Sequence, residues 1–509
     1  MIVRGANALY PGVLESPPYG KTSLFDAVGE PHGHNLRTAD NNHLLDGLTG
    51  IGPGWDPTAT ATRGEVAQML WALLELIEGS TQPPPTPPPT TPTTPTPTQT
   101  PTPTPTPTRS TSNLILEGQA FFEAGDLDSA ITAYLEAAEL DDQNSLLWGE
   151  LARIQAYSSR LLTSDQDRLL RLQEALDSAA RALALDPENP AVLANYAFVL
   201  DWYATHPLAE DSQAALNRAE QNALLALSMD PSAPLALAYY AEILIDQGKW
   251  NQADQYIQQA LSLGSDLVDV HRVHAYYLES TARYEQAIEE YLAALEITPN
   301  LTFLYISIGQ NYRTLAFRAT SPVQQKMLYE QALEYFAKAS RLNDQLGIED
   351  PLPYVAIAKT YAQMGEFFAA ARNALKAVEI EPENADLYGQ LGNIYKRGRN
   401  YETSIIALKC AVRGCTPAES CAARGGCVAG DPGVTVIGLP LNSISATYYL
   451  DYGSVLAAFS RNYPAYCIDA VDVLTRLVAA YGDDATVRIN AEDGLAICAS
   501  VSASQTLTP

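Results

Sequence analysis

The chain has 509 residues, of which 47% are hydrophobic and 18% charged, so it can bury substantial cores and is too long for one ordinary domain. A formal charge of −28 and a sequence pI near 4.5, with no cluster of Lys and Arg, argue against nucleic acid or an anionic membrane as the main partner. The longest strongly apolar run, MLWALLELI from Met69, is interrupted by Glu75 and falls far short of the roughly 20 residues that span a bilayer.

The first element in chain order is a helix after GLTGIGPGWDPTATATRGE. Thr62 and Glu65 form a capping box, and Val66, Met69, Leu70, Leu73 and Leu76 make an apolar stripe behind it. MIVRGANALY lacks the apolar core of a secretory signal, so the chain either stays inside the cell or has lost an upstream piece. From Gln82 to Thr108 the sequence is almost entirely Pro and Thr. Proline fixes φ and removes backbone donors, so this stretch is expected near polyproline II, reaching ~80 Å at about 3.1 Å per residue. A semi-rigid spacer is the simplest reading, and an O-glycosylated stalk or a ligand for proline-binding domains has the same composition.

Beyond the spacer a period of 34 residues sets in. Ala253 and Ala260 recur as Ala287 and Ala294, and Tyr361, Ala370 and Ala377 as Tyr395, Ser404 and Ala411. Each period reads as two amphipathic helices closing on a proline turn, with small residues where the pair approaches closely. Eight units start near Thr111, Ser145, Pro190, Pro234, Val268, Thr302, Pro351 and Ala385, and a less regular ninth covers 445–484. Units two, three and six carry about ten extra residues between their helices, expected to lengthen the hairpin without breaking the stack.

This pattern resembles the tetratricopeptide repeat. Ile308, Gly309, Tyr312 and Leu391, Gly392, Tyr395 match its first helix, while Ala130, Tyr134, Ala137 and Ala287, Tyr291, Ala294, Pro299 match its second. The resemblance implies an all-α fold, a right-handed superhelical solenoid of antiparallel hairpins, and a scaffold that binds proteins in a groove lined by the first helices. The groove positions of such repeats fall here on Arg272, Tyr276, Phe303, Arg313, Lys359, Asn393 and Lys396. The carboxylate clamp of chaperone-binding members has no counterpart, since Ala238, Ile306, Val355 and Gly389 occupy the sites around Arg272. A basic strip in an acidic chain points to an acidic, partly aromatic partner segment, from another protein or from a second copy. The bland alternative is that these are ordinary solvated side chains.

The segment before the spacer resembles an S-layer homology module in Gly50-Ile51, Gly54, Trp55, Pro57 and Thr62-Arg63-Gly64-Glu65, with Phe25 and Asp26 fitting its start. That resemblance implies a cell-wall anchor in which Arg63, with Glu65 and Trp55, contacts an acidic polysaccharide. A guanidinium at a helix N-terminus suits an anionic sugar, although a first-turn surface arginine is the plain alternative. The family usually has three copies and one is present, so the module is expected to be incomplete.

All six cysteines, Cys410, Cys415, Cys421, Cys427, Cys467 and Cys498, lie in the last fifth of the chain. They lack the tight C-x-x-C knuckles of zinc sites, so disulfides are favoured over metal or free thiols. Cys467 opens the second helix of the last hairpin and Cys498 sits in a terminal capping helix, so these two are expected to pair and the other four to pair locally. Val434 to Ile437 reads as a short strand within a pinned excursion between repeats.

The resulting layout is a module over 1–80, a linker over 81–110, eight repeats over 111–415, the excursion over 416–444, and a ninth hairpin with its cap over 445–509. YGKT from Tyr19 is not a phosphate loop, because Glu15 stands where the first glycine is required. His271 and His274 occupy core positions of a first helix, and His32 and His34 read as loop residues. No catalytic motif, cofactor or metal site is legible. The expected function is therefore a non-enzymatic, extracellular, cell-wall-anchored scaffold for protein–protein interaction, with a self-associating structural subunit as the alternative.

Overall fold

The computed structural model describes residues 38–45, 109–427 and 431–506, and the chain divides into two compact units, Met1–Thr104 and Pro105–Pro509. The expected wall-binding residues Trp55, Arg63 and Glu65 and the Pro/Thr spacer lie outside the described residues. In the first unit, residues 38–45 form a single helical turn and the bend that closes it.

In the second unit the hairpins follow one another along the chain. They are α1 (Thr111–Ala124) with α2 (Leu127–Leu140), α3 (Ser145–Ser159) with α4 (Asp165–Leu185), and α5 (Pro190–Ala204) with α6 (Ser212–Met229). Next come α7 (Pro234–Asp246) with α8 (Trp250–Leu263), α9 (Val268–Ser280) with α10 (Tyr284–Ile297), and α11 (Thr302–Arg318) with α12 (Pro322–Leu346). The seventh and eighth are α13 (Leu352–Met364) with α14 (Phe367–Ile380) and α15 (Ala385–Arg397) with α16 (Tyr401–Arg413). A short α17 (Pro417–Ala423) precedes the ninth hairpin, α18 (Ala446–Phe459) with α19 (Tyr466–Tyr481), and α20 (Ala485–Thr506) packs against both of its helices. The described residues thus form an all-α tetratricopeptide-type solenoid.

Local chemistry sets the helix boundaries. The side chains of Ser110, Asp126, Asn144 and Asn189 accept hydrogen bonds from first-turn backbone N–H groups, which would otherwise be unpaired. Within hairpins the turn requires a left-handed residue. Glycine supplies it at Gly125, Gly248 and Gly365, whereas Ala282 (φ 61°) and Arg399 (φ 62°) hold the same conformation with a side chain. Packing depends on the small residues of the repeat: Ala137, Ala294 and Ala411 are fully buried, and a Cβ added at Gly309 would strike the ring of Phe336 on the partner helix.

The coil is tight enough for distant hairpins to touch. Asn300, before α11, donates to the Glu123 carbonyl at the end of α1 (3.0 Å). Thr163, between α3 and α4, donates to Glu381 (2.5 Å) and accepts from Asn384 (2.8 Å), which stand between α14 and α15. Loops separated by more than two hundred residues therefore hold one another, and the first helices are drawn inward.

The strand expected over Val434–Ile437 is replaced by a single antiparallel bridge between Cys415 and Val436, with N–H···O distances of 3.0 and 2.9 Å. Pairing stops there because Gly414 and Gly433 turn the chain at positive φ on either side and Pro440 has no N–H to donate. The same excursion contains α17, opened by a capping box between Thr416 and Glu419. Disulfides join Cys410 to Cys415, Cys421 to Cys427 and Cys467 to Cys498, with Cα–Cα separations of 4.7, 4.9 and 5.4 Å. No described helix is long and apolar enough to cross a membrane.

Candidate interaction surface on the inner face

The first helices of hairpins two to six meet around one buried carboxylate. Asp269 on α9 accepts from Arg153 of α3 (3.0 Å), from Tyr239 of α7 (2.7 Å) and from the Tyr157 hydroxyl of α3. Burial pushes the Asp269 carboxyl up, but Arg153 and Arg272, aided by the two tyrosine hydroxyls, outweigh it and hold the group below the usual carboxylate range. The Tyr157 ring stacks on Phe303 of α11 at 5.2 Å between centroids, and Phe198 of α5 stacks on Tyr239 at 4.6 Å.

Arg272 belongs to this interior. Its Nη1 and Nη2 donate to the two oxygens of Glu242 at 2.7 and 2.6 Å, its Nε donates to Tyr157 at 3.1 Å, and only 6% of the residue is exposed. Phe303 is equally buried. These two residues, expected on an open groove, lie inside the coil, because the tight superhelix brings α3 against α9 and α11.

A cavity of about 350 Å³ remains beside this network. Tyr276 faces it and donates to Asp246 at 2.5 Å. Burial, with Glu242 adding repulsion, pushes Asp246 up to about 6, and Tyr276 opposes the shift without cancelling it. Asp201, wholly buried next to it, is pushed up by burial and by the charges of Asp246 and Glu242.

The remaining expected positions separate into two kinds. Asn393 and Lys396 on α15 both bind Asp451 of α18, the former at 2.7 Å, so their donors are already engaged within the chain. Arg313 and Lys359, by contrast, have no carboxylate ion pair among the described residues. Arg313 Nη1 is buried with no hydrogen-bond partner, and its guanidinium lies 5.8 Å from the Phe336 ring centroid. Burial pulls the Arg313 guanidinium down with only the Tyr329 hydroxyl opposing. Burial pulls the Lys359 ammonium down as well; Asp386 and Asp165 oppose this, while Arg313 and Arg168 add to it. Lys359 nonetheless reaches water. Open to solvent yet surrounded by protein is the condition of a side chain on the wall of a concavity.

His271 and His274 flank one carboxylate, Glu290, at 2.7 and 3.1 Å through their Nδ1 atoms. The hydrogen bond from His271, with His274 close on the other side, overcomes burial and carries Glu290 down to about 2. No group of side chains among the described residues is arranged to hold a metal ion. Sequence reasoning missed the interior acids Asp201, Glu242, Asp246, Asp269 and Asp451. Their only signal is a carboxylate on a first helix whose neighbours are apolar.

Models described as tetratricopeptide repeat match residues 373–406 in one case and 112–144 and 273–301 in another. Among curated proteins, interferon-induced protein with tetratricopeptide repeats 2 of Cricetulus griseus is 27% identical over 201 residues, covering 37% of this chain. The match spans 40% of that relative's length. Among solved structures, a human IFIT1 dimer with m7Gppp-AAAA is 16% identical and covers 77% of this chain and 91% of its own, at a TM-score of 0.48. A tetratricopeptide repeat protein from Parabacteroides merdae is 20% identical and covers 55% and 97%, at a TM-score of 0.32. The chain therefore carries tetratricopeptide repeats, and repeats of this kind form protein-interaction scaffolds.

Proposed function

We propose that the chain is a non-enzymatic scaffold displayed outside a bacterial cell, held to the wall by its N-terminal segment and binding an acidic protein segment along the inner face of its later repeats. The observation that carries the binding half is the pair Arg313 and Lys359, neighbouring cations with no carboxylate ion pair among the described residues, in a chain of formal charge −28. Arg313 acts on Lys359 as a like charge, and a carboxylate-rich ligand relieves that repulsion. Arg168, which acts on Lys359 through space, extends the positive region. Three disulfides agree with an oxidising compartment, which is the support for display outside the cell. Arg63, Glu65 and Trp55 are proposed to contact an acidic wall polysaccharide, and the Pro/Thr stretch to hold the array away from it.

The test titrates the full chain with a fluorescent peptide of alternating Glu and Tyr, with a Lys/Tyr peptide and an oligonucleotide of equal length as controls. Selective binding of the acidic peptide that weakens at least tenfold in Arg313→Glu with Lys359→Glu, and weakens with salt, is the expected result. Unchanged binding in the double variant removes these residues from the site, and tighter binding of the oligonucleotide overturns the partner class. If the double variant instead turns an associated species into a monomer in sedimentation, the acidic segment belongs to a second copy. Sedimentation of residues 1–80, fused to an inert carrier, with purified cell walls tests the anchor; a fusion that stays in solution at low salt ends it.

A further inference from the structure

The cavity inside hairpins two to seven is a candidate site in its own right. Its roughly 350 Å³ lies within the range of small-molecule sites, and Trp202, Tyr276 and Phe303 give it an aromatic lining. Its charged groups are arranged with both signs facing inward. Arg272 is consumed by Glu242, and Arg168 is held by Asp165 at 3.1 Å.

Arg160 is left without an ion pair among the described residues and sits with its guanidinium 5.6 Å from the Trp202 ring centroid. His206 adds an unused donor. Its Nδ1 accepts from the Leu208 N–H at 3.2 Å, so the neutral ring carries its proton on Nε2. That nitrogen is buried with no hydrogen-bond partner, and its nearest carboxylate oxygen, on Asp165, is 4.0 Å away, while only 6% of the side chain is exposed. Among the acids lining the cavity, Asp246 and Glu279 have only neutral hydrogen-bond donors: Tyr276 on the first, Asn311 and Tyr291 on the second. Both carboxyls are raised by burial, which the charges of Arg272 at Asp246 and Arg160 at Glu279 oppose without cancelling.

A purely anionic ligand would satisfy Arg160 and His206 and worsen the position of the two carboxylates, while a purely cationic one would do the reverse. From the cavity, its aromatic lining and these two opposed sets of underused groups, we propose that this is a binding site for a small zwitterion, an α-amino acid or dipeptide with an apolar side chain. Its carboxylate is received by Arg160 and His206, and its ammonium by Glu279 and Asp246. The cavity adjoins the acidic-segment surface through Arg168, but neither Arg313 nor Lys359 lines it, and the proposal does not depend on that surface.

The experiment measures the melting temperature and calorimetric binding of the full chain with phenylalanine, leucine and the dipeptide Phe-Leu, each at about 10 mM. Phenethylamine and 3-phenylpropionate serve as single-charge controls. Stabilisation by at least one zwitterion, absent with either control, is expected, and Arg160→Gln and Glu279→Gln should each weaken that zwitterion tenfold or more. A control that binds as tightly as the zwitterion overturns the proposal, as does the absence of any ligand-dependent shift in a folded protein. Circular dichroism and the unliganded melting temperature of each variant establish that it is folded; Arg160→Lys, which keeps the charge, should retain part of the affinity if Gln has removed a ligand contact. Arg313→Glu with Lys359→Glu should leave zwitterion binding unchanged, so failure of the acidic-segment reading and failure of this one are separable.

Discussion

Arg272 gives both ends of its guanidinium to Glu242, at 2.7 and 2.6 Å, in a site from which water is almost wholly excluded. The pair joins α9 to α7 and lies under the rings of Phe198 and Trp202, whose centroids are 5.5 and 5.3 Å from the guanidinium carbon. A residue of this kind at a groove position of a repeat works as a rivet between repeats.

Removing one member of such a pair strands the other. Arg272→Ala should lower unfolding stability by about 3 to 5 kcal/mol, because Glu242 would keep only the Trp202 N–H at 3.0 Å. Replacing both together, Arg272→Met with Glu242→Leu, should recover most of the loss. Urea unfolding followed by far-UV circular dichroism distinguishes the two outcomes, and a double variant as unstable as the single one contradicts the account.

The hairpins and the inner network differ in how much of them the sequence discloses. Helices begin at Thr111, Ser145, Pro190, Pro234, Val268 and Thr302 because a 34-residue period of small and aromatic residues encodes contacts within a hairpin and with the next one. The period says nothing about pitch. Arg153 meets Asp269 across 116 residues and Thr163 meets Asn384 across 221, contacts that depend on small rotations accumulated over several repeats. Inward-facing positions such as Arg272 and Lys396 can be read from the pattern, whereas their partners Glu242 and Asp451 cannot. Asp451 is further hidden because it lies in the least regular hairpin.

Buried acids set the pH response. Asp350 is carried up to about 7 by burial, against hydrogen bonds from the Leu352 N–H and from Asn343, both at 2.8 Å. The folded chain therefore holds a proton that the unfolded chain, with an ordinary value of 3.8, releases. Stability from this group is present at acidic pH and declines as pH rises from about 4 through about 7. Asp246, carried up to about 6, acts in the same sense over a lower window. Glu290, carried down to about 2, acts oppositely: its contribution is present above its ordinary value of 4.5 and is lost as pH falls through about 2. The melting temperature should accordingly rise on acidification from pH 8 to about pH 5 and fall below about pH 4. Asp350→Asn should flatten the upper limb; an unchanged slope in that variant would remove Asp350 from the explanation.

Two turns store backbone strain. Ala282 and Arg399 hold the left-handed conformation that glycine supplies at the corresponding turns Gly248 and Gly365, 34 residues earlier in each case. Ala282→Gly and Arg399→Gly should each stabilise the array, by up to about 1 kcal/mol after the added unfolded-state entropy is subtracted. Gly365→Ala should cost about as much, and thermal melts of the three variants check both signs.

The C-terminal end should open first once its cross-link is removed. In a solenoid each hairpin is held mainly by its neighbours, and the last has one hairpin neighbour, with α20 packed against the ninth pair. The Cys467–Cys498 disulfide, with a sequence separation of 31, ties α20 to α19. In the chain-entropy account, closing a loop of this length is worth about 3 to 4 kcal/mol. Cys467→Ala with Cys498→Ala should therefore raise amide exchange across α18 to α20 by two to three orders of magnitude while leaving α5 to α10 unaffected. Cys421→Ala with Cys427→Ala, which removes a separation of only 6, should have a smaller effect confined to the excursion. Equal exchange in the two double variants would mean that α20 is held by packing alone. In that case Leu474 and Leu477 of α19, both fully buried, would be the next positions to truncate.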